Sequence, residues 1–137
     1  MKRYVLDACA LIALLQDESG ADIVDKIINA ANDGEAIVIM HKANLLEVYY
    51  DSYRSRGKDQ ADLMLAEVIN LPIEISSEIT DDIFREAGRL KSLYKISFAD
   101  SFALAQAFVS GGELLTSDHH EFNAIEKNEP IAFHWIR

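Results

Sequence analysis

Apolar residues follow two different rhythms along this chain. Residues 36–40 are all apolar, as in a strand that is covered on both faces of a sheet. Between residues 19 and 32, by contrast, Ile23, Ile27 and Ala31 recur at the spacing of a buried helix face. Similar runs and repeats follow one another to the end of the chain, so strands and helices are expected to alternate.

The patterns predict an α/β fold. Strands are predicted at residues 3–6, 36–40, 72–75, 113–116 and 131–136. Helices are predicted at residues 10–16, from Ser19 to 32, 42–55, 59–70, through 79–94, from Ser97 to 109, and 121–127. Strands that alternate with helices favour an α/β/α sandwich with a mostly parallel central sheet, here in one domain spanning residues 1–137.

Serine residues are expected to cap three of these helices. Ser19 precedes the second helix, Ser76 or Ser77 precedes the fifth, and Ser97 precedes the sixth. A serine hydroxyl at such a position accepts a backbone N–H that has no partner within the helix.

Three acidic residues stand alone in apolar segments. They are Asp7, Glu47 and Asp100, and no Lys or Arg accompanies any of them locally. A buried carboxylate is costly unless it has a partner, a proton or a metal. Several acids without local cations therefore indicate a hard divalent cation bound through oxygen.

The predicted topology brings four carboxylates to one edge of the sheet. Asp7 follows the first strand directly, Asp118 follows the fourth by two residues, and Glu47 comes within two helical turns of the second. Asp100 lies in the first turn of its helix. Ligands of such sheets bind at the carboxyl ends of the strands. One or two Mg²⁺ or Mn²⁺ ions held there would support hydrolysis of phosphodiester bonds.

Each acid also has a structural explanation that remains open. Asp100 can form a capping box with Ser97, and Asp118 can cap the seventh helix. Glu47 can be a solvent-facing helix residue. Asp7 is the hardest to explain structurally, because it ends a buried strand and opens an apolar segment.

Composition and charge limit the classes of protein. The 137 residues are 50% apolar, and no apolar run is long enough to span a bilayer. With one cysteine, Cys9, the chain has no internal disulfide, and we expect a cytoplasmic protein. The net charge of −10 argues against simple electrostatic binding of nucleic acid but not against a nuclease. Two basic clusters, residues 54–58 and 85–95, are either solvated helix faces or a phosphate-binding rim.

In four segments, the sequence resembles the PIN-domain ribonucleases, and more narrowly the VapC-type toxins of toxin–antitoxin pairs. The matching segments are residues 5–15, 44–47, 97–105 and 114–118, in this order. The resemblance implies a metal-dependent endoribonuclease with Asp7 and Asp100 as principal Mg²⁺ ligands. It further implies that Glu47 assists in holding the Mg²⁺, directly or through water, and that Asp118 completes the metal site.

The resemblance also implies an RNA substrate, a cognate antitoxin, a homodimer, and a carboxylate-orienting role for Thr116. The chain departs from the family's pattern after Asp7, where Ala8 and Cys9 replace the usual hydroxyl residue and are expected to remove a possible donor to Asp7. His119 and His120 are unusual additions, expected to be surface residues. Two alternatives remain: a PIN fold that acts through protein contacts with weak or lost catalysis, and another α/β phosphoryl-transfer domain with Asp7 as nucleophile.

Overall fold

The computed structural model describes all residues 1–137 and contains five strands and seven helices. The strands are β1 (Lys2–Leu6), β2 (Ala36–His41), β3 (Glu74–Ser76), β4 (Glu113–Thr116) and β5 (Ala132–Trp135). The helices are α1 (Ala8–Leu15), α2 (Ala21–Asn32), α3 (Lys42–Arg56), α4 (Lys58–Ile69), α5 (Asp81–Leu93), α6 (Phe98–Ser110) and α7 (His119–Asn128). The predicted alternation of strands and helices is confirmed.

The five strands form one fully parallel sheet in the order β3-β2-β1-β4-β5. From β1 the chain first builds outward through β2 and β3, and then returns to the other side of β1 to add β4 and β5. The direction of winding therefore reverses between β1 and β4. In open parallel sheets, this reversal leaves a crevice at the carboxyl ends of the two strands.

Helices cover both faces of the sheet. Neighbouring residues of a strand point to opposite faces, and β1 shows this directly. Leu6 packs into a core with α1, α2, α3 and α4, whereas Val5 packs into a second core with α5, α6 and α7. In β4, Leu115 joins the first core and Leu114 the second. The expected α/β/α sandwich is thus confirmed.

Two of the three expected caps are wrong. The N-cap of α2 is Gly20, whose φ of 97° is left-handed, and a Cβ there would lie 2.6 Å from the carbonyl oxygen of Ile136. The N-cap of α5 is Thr80, whose hydroxyl accepts the N–H of Ile83 at 3.3 Å, and not Ser76 or Ser77; Ser76 is paired with His41 in the sheet. The cap at Ser97 is confirmed.

Strand β3 begins two residues later than predicted, since the chain is still turning where the amide of Ile73 donates to Leu71. None of the seven helices is both long enough and apolar enough to traverse a bilayer.

Candidate functional site

The reversal point between β1 and β4 carries Asp7 on one side and Asp118 on the other. Leu6 is paired with Leu115, so the residues that follow these strands leave the sheet side by side. The backbone N–H of Asp7 still donates to the carbonyl of Leu115 at 3.4 Å. The pairing of β1 with β4 therefore fixes the position at which Asp7 emerges.

Asp7 is 3% exposed and serves as the N-cap of α1. Its Oδ1 accepts the N–H of Ala10 at 2.8 Å. Burial raises the pKa of Asp7 to about 6, although hydrogen bonds from Thr116, Ala10 and Cys9 lower it, and the charge of Asp100 raises it further. A positive charge beside this carboxylate would lower its pKa and favour the ionised form.

Cys9 supplies a donor to Asp7, which corrects the expectation that this position had lost one. Its Sγ lies 3.2 and 3.3 Å from the two carboxylate oxygens of Asp7 and accepts the N–H of Ser117 at 3.4 Å. Burial, followed by the charge of Asp7, raises the pKa of the thiol to about 11. The thiol is therefore neutral at physiological pH, and it joins the Asp7 side of the site to the end of β4.

Thr116 is fully buried and serves both acids of the reversal point. Its hydroxyl accepts the N–H of Asp118 at 3.1 Å, and its hydrogen bond to Asp7 lowers the pKa of that carboxyl. The structure thus places Thr116 between the two acids, where the resemblance suggested an orienting residue.

Asp100 and Asp118 each hold the start of a helix with one oxygen. Asp100 Oδ2 accepts the N–H of Ser97 at 3.3 Å within the expected capping box, and Asp118 Oδ1 accepts the N–H of Glu121 at 3.1 Å. The second oxygens, Oδ1 of Asp100 and Oδ2 of Asp118, make no hydrogen bond within the protein. Capping and metal binding are therefore compatible for both residues.

Glu47 is not a freely solvated helix residue. Its Oε1 is buried and has no hydrogen-bond partner. Burial raises the pKa of Glu47, and the charges of Asp100, Asp7, Asp51 and Asp118 raise it further, in decreasing order. The effect of three other predicted site residues on Glu47 indicates that all four carboxylates act on one region of space.

Asn44 was not singled out as a site residue, yet it belongs beside Glu47. It lies three residues earlier on α3, is fully buried, and neither its Oδ1 nor its Nδ2 has a hydrogen-bond partner. Buried amides of this kind are rare, because most find a partner in the protein or in bound water. The sequence signal was a polar residue at helical spacing from an isolated acid.

The negative charges of the site are not balanced by basic side chains. Burial raises the pKa of Asp100, the hydrogen bonds to Ser97 lower it, and the charges of Asp118 and Glu121 raise it. Glu121 is thus a further acid of this region that sequence reasoning missed. None of the four predicted acids forms an ion pair with a Lys, Arg or His.

The donor set suits a hard cation. As the side chains stand, no three His, Cys, Asp or Glu residues are grouped closely enough to enclose an ion. Mg²⁺ does not require such a cage, because it is commonly held by one or two carboxylates and completes its shell with waters and substrate phosphates. The unpartnered oxygens of Asp100, Asp118 and Glu47 fit this open type of site.

The two histidines after Asp118 have other surroundings. His119 is exposed, and its ring nitrogens contact Asn123 and the carbonyl of Arg137 while its ring stacks on Trp135. His120 is exposed to solvent, as expected. His119 therefore ties α7 to β5 and the end of the chain.

Comparison with known protein families identifies the family of this chain. The family model of the PIN domain matches residues 4–128, and the chain belongs to the PIN domain family. No curated protein matches the sequence significantly.

Solved structures of toxin–antitoxin systems share the fold. A chain of DNA-bound VapBC from Salmonella typhimurium superposes with a TM-score of 0.76 at 13% identity, with 100% of both chains covered. For VapBC2 from Rickettsia felis, bound to a DNA fragment from their promoter, the TM-score is 0.75 at 17% identity, with 97% of this chain and 98% of that chain covered. For VapC20 from Mycobacterium tuberculosis, a Sarcin-Ricin loop cleaving toxin, the TM-score is 0.61 at 16% identity, with 80% of this chain and 85% of that chain covered.

Proposed function

We propose that this protein is a divalent-metal-dependent endoribonuclease and the toxin of a type II toxin–antitoxin pair. The observation that supports the proposal is that Asp7, Glu47, Asp100 and Asp118 lie around the β1/β4 reversal point. No Lys or Arg side chain forms an ion pair with any of them. Membership of the PIN family and the structural similarity to VapBC proteins support it.

Each acid has a part in the proposed reaction. Asp7 and Asp100 would hold Mg²⁺ or Mn²⁺, and Asp118 would contribute its unpaired oxygen to the same site. The cation, when bound, lowers the pKa of an attacking water and offsets negative charge on the phosphoryl oxygen. Glu47 would accept a proton from water, because burial and the neighbouring acids raise the pKa of its carboxyl above the ordinary value and make it a stronger base than a solvated glutamate.

Cys9 and Thr116 act by positioning Asp7. The thiol and the hydroxyl reach this carboxylate from α1 and β4, so its orientation does not depend on the metal alone. Partners of this kind that hold a metal ligand in place commonly affect metal affinity.

The proposed partners follow from the same similarity. VapBC structures contain toxin and antitoxin together, and we infer a cognate antitoxin, a homodimeric assembly and a cytoplasmic location for this chain. A net charge of −10 favours an antitoxin whose contacting segment is basic.

Cleavage of total cellular RNA by the purified, antitoxin-free protein tests the proposal. Discrete fragments are expected with Mg²⁺ or Mn²⁺, and none with EDTA. The Asp7→Asn variant should be inactive, whereas Asp25→Asn, which alters an exposed acid on α2, should cleave like the wild type. Equal cleavage by Asp7→Asn, or cleavage in EDTA, would show that the acidic site is not the catalytic centre. A protein that neither binds the metal nor cleaves RNA would favour the protein-binding alternative.

A further inference from the structure

Three aromatic rings form a stack that leads from the core to the surface beside the acidic site. His41 and Phe102 stack with centroids 4.7 Å apart and an interplanar angle of 25°, and Phe102 and Phe98 stack at 5.1 Å and 15°. The inner two rings are buried, whereas Phe98 is 64% exposed. The stack therefore ends in one open aromatic face.

The inner end of the stack is held rigidly. His41 caps α3, where its Nδ1 accepts the N–H of Ala43 at 3.0 Å and its Nε2 lies 3.1 Å from the carbonyl oxygen of Glu78. A proton on Nε2 satisfies both contacts. Because this ring cannot turn without losing them, the rings stacked upon it, including that of Phe98, have a fixed support.

Phe98 lines a cavity that shares Glu47 with the acidic site. The cavity has a volume of about 610 Å³, and Glu47 and Ser97 are among the polar residues of its mainly apolar lining. Glu47 is one of the four site acids, and the hydroxyl of Ser97 accepts the N–H of Asp100 at 3.1 Å. A group bound against Phe98 is therefore next to the proposed cleavage site.

Positive charge lies at the rim of the same cavity, in a chain whose net charge is −10. Lys42 lines the cavity, and so does Tyr50, whose ring lies 5.4 Å from the guanidinium of Arg54. An open aromatic face with one lysine in the cavity lining and one arginine beside the cavity complements a ligand that combines flat bases with phosphates. An apolar peptide segment would make use of the ring but not of the cations.

We propose that the Phe98 cavity binds an unpaired nucleobase of single-stranded RNA, next to the phosphodiester that is cleaved. This inference rests on the proposed ribonuclease function and adds a binding site for one nucleotide of the substrate. The base stacks on the outer face of Phe98, and Lys42 and Arg54 lie where neighbouring phosphates pass. Stacking on an aromatic side chain tolerates any base, so the cavity selects an unpaired nucleotide rather than a particular sequence.

Four proteins test the proposal: the wild type, Phe98→Ala, Phe98→Tyr and Phe84→Ala. Phe84 is the matched control, since it is also an exposed phenylalanine, at 70%, but does not line the cavity. Cleavage of total cellular RNA is measured in Mg²⁺ over a range of RNA concentrations. In parallel, single-stranded octaribonucleotides of random sequence that carry 5-iodouridine are photo-cross-linked in EDTA, and the adducts are mapped by mass spectrometry.

We expect Phe98→Ala to raise the KM about tenfold with little change in kcat, because base stacking is lost. Phe98→Tyr should restore the wild-type KM, and Phe84→Ala should not alter it. The wild-type adduct should map to Phe98 and disappear in Phe98→Ala. An unchanged KM in Phe98→Ala, or an adduct that forms elsewhere, would overturn the proposal.

Failure of the inference and failure of the proposed function give different results. If the wild type cleaves RNA and Phe98→Ala does so equally well, only the nucleobase site is wrong. If the wild type neither cleaves RNA nor cross-links to it, both proposals are wrong. If RNA adducts are unchanged but Phe98→Ala alters the apparent mass in gel filtration, Phe98 serves a protein contact instead.

Discussion

Asn44 and Glu47 lie one helical turn apart on α3, and both have buried polar atoms without a hydrogen-bond partner. Leaving such an atom unsatisfied costs about 1–3 kcal/mol. Residues that are retained at this cost commonly serve a bound ion, a water or catalysis. The pair therefore offers unsatisfied polar atoms on the α3 side of the proposed site.

Replacing Asn44 should separate stability from function. We expect Asn44→Leu, which is close in volume, to keep or raise the free energy of unfolding in EDTA, by up to about 2 kcal/mol, because the buried amide is removed. The same variant should bind Mn²⁺ more weakly and cleave RNA more slowly. Urea unfolding and a cleavage assay measure the two effects. A loss of stability above about 1 kcal/mol with normal cleavage would show that Asn44 is purely structural.

The raised pKa of Asp7 predicts an unusual pH dependence for the metal-free protein. The folded-state pKa is about 6, above the ordinary value of 3.8, so protonation favours folding. The contribution of Asp7 is most favourable below pH 3.8 and is lost as the pH rises through about 6. The Asp7→Asn variant lacks this titration and keeps an oxygen to accept the N–H of Ala10.

Urea unfolding in EDTA at several pH values tests this dependence. The stability of Asp7→Asn relative to the wild type should increase between about pH 4 and 7, by about 3 kcal/mol at most. Other titrating groups are common to both proteins and cancel in the difference. A difference that is independent of pH would contradict the raised pKa.

Asp100→Asn should change metal binding far more than stability. The asparagine can still accept the N–H of Ser97, and it removes a carboxylate that burial and neighbouring acids disfavour. We expect its free energy of unfolding in EDTA to lie within about 1 kcal/mol of the wild type. Ser97→Ala is the control for the cap: it should lose about 1 kcal/mol while retaining Mn²⁺ binding. A severe loss of stability in Asp100→Asn would favour a purely structural role.

Cys9 should be replaceable by serine but not by alanine. A serine hydroxyl can still donate to Asp7, whereas alanine removes the contact, so we expect Cys9→Ala to bind Mn²⁺ about tenfold more weakly. Because burial raises the pKa of the thiol to about 11, the wild-type Cys9 should react slowly with iodoacetamide at neutral pH. Equal Mn²⁺ affinity in both variants would exclude the positioning role.

The sheet was predictable because its strands are short apolar runs with abrupt ends. The prediction of β4 is confirmed at both ends, and that of β1 within one residue. The caps of α2 and α5 were not predictable in the same way. At Gly20 the decisive factor is the approach of Ile136, from the far end of the chain, and at Ser76 it is pairing with His41. Both are tertiary contacts that local sequence does not encode.

Asp7, Asp100 and Asp118 could be placed at one edge of the sheet because each stands close to a strand end or helix start that sequence pattern identifies well, whereas Glu47 lies in the second turn of α3. The contacts that these acids make could not be predicted from the sequence. The approach of Cys9 to Ser117 joins residues 108 positions apart, and the missing partners of Asn44 depend on the packing of α3. Glu121 was overlooked because it lies among other polar residues and is not isolated in the sequence.

Calorimetric titration of the purified protein with Mn²⁺ tests the central claim most directly, with Asp7→Asn and Asp25→Asn measured alongside. The account predicts saturable binding of one or two ions to the wild type and to Asp25→Asn, and none to Asp7→Asn. Saturable binding that survives in Asp7→Asn, or its absence from the wild type, would contradict a metal site at the β1/β4 edge.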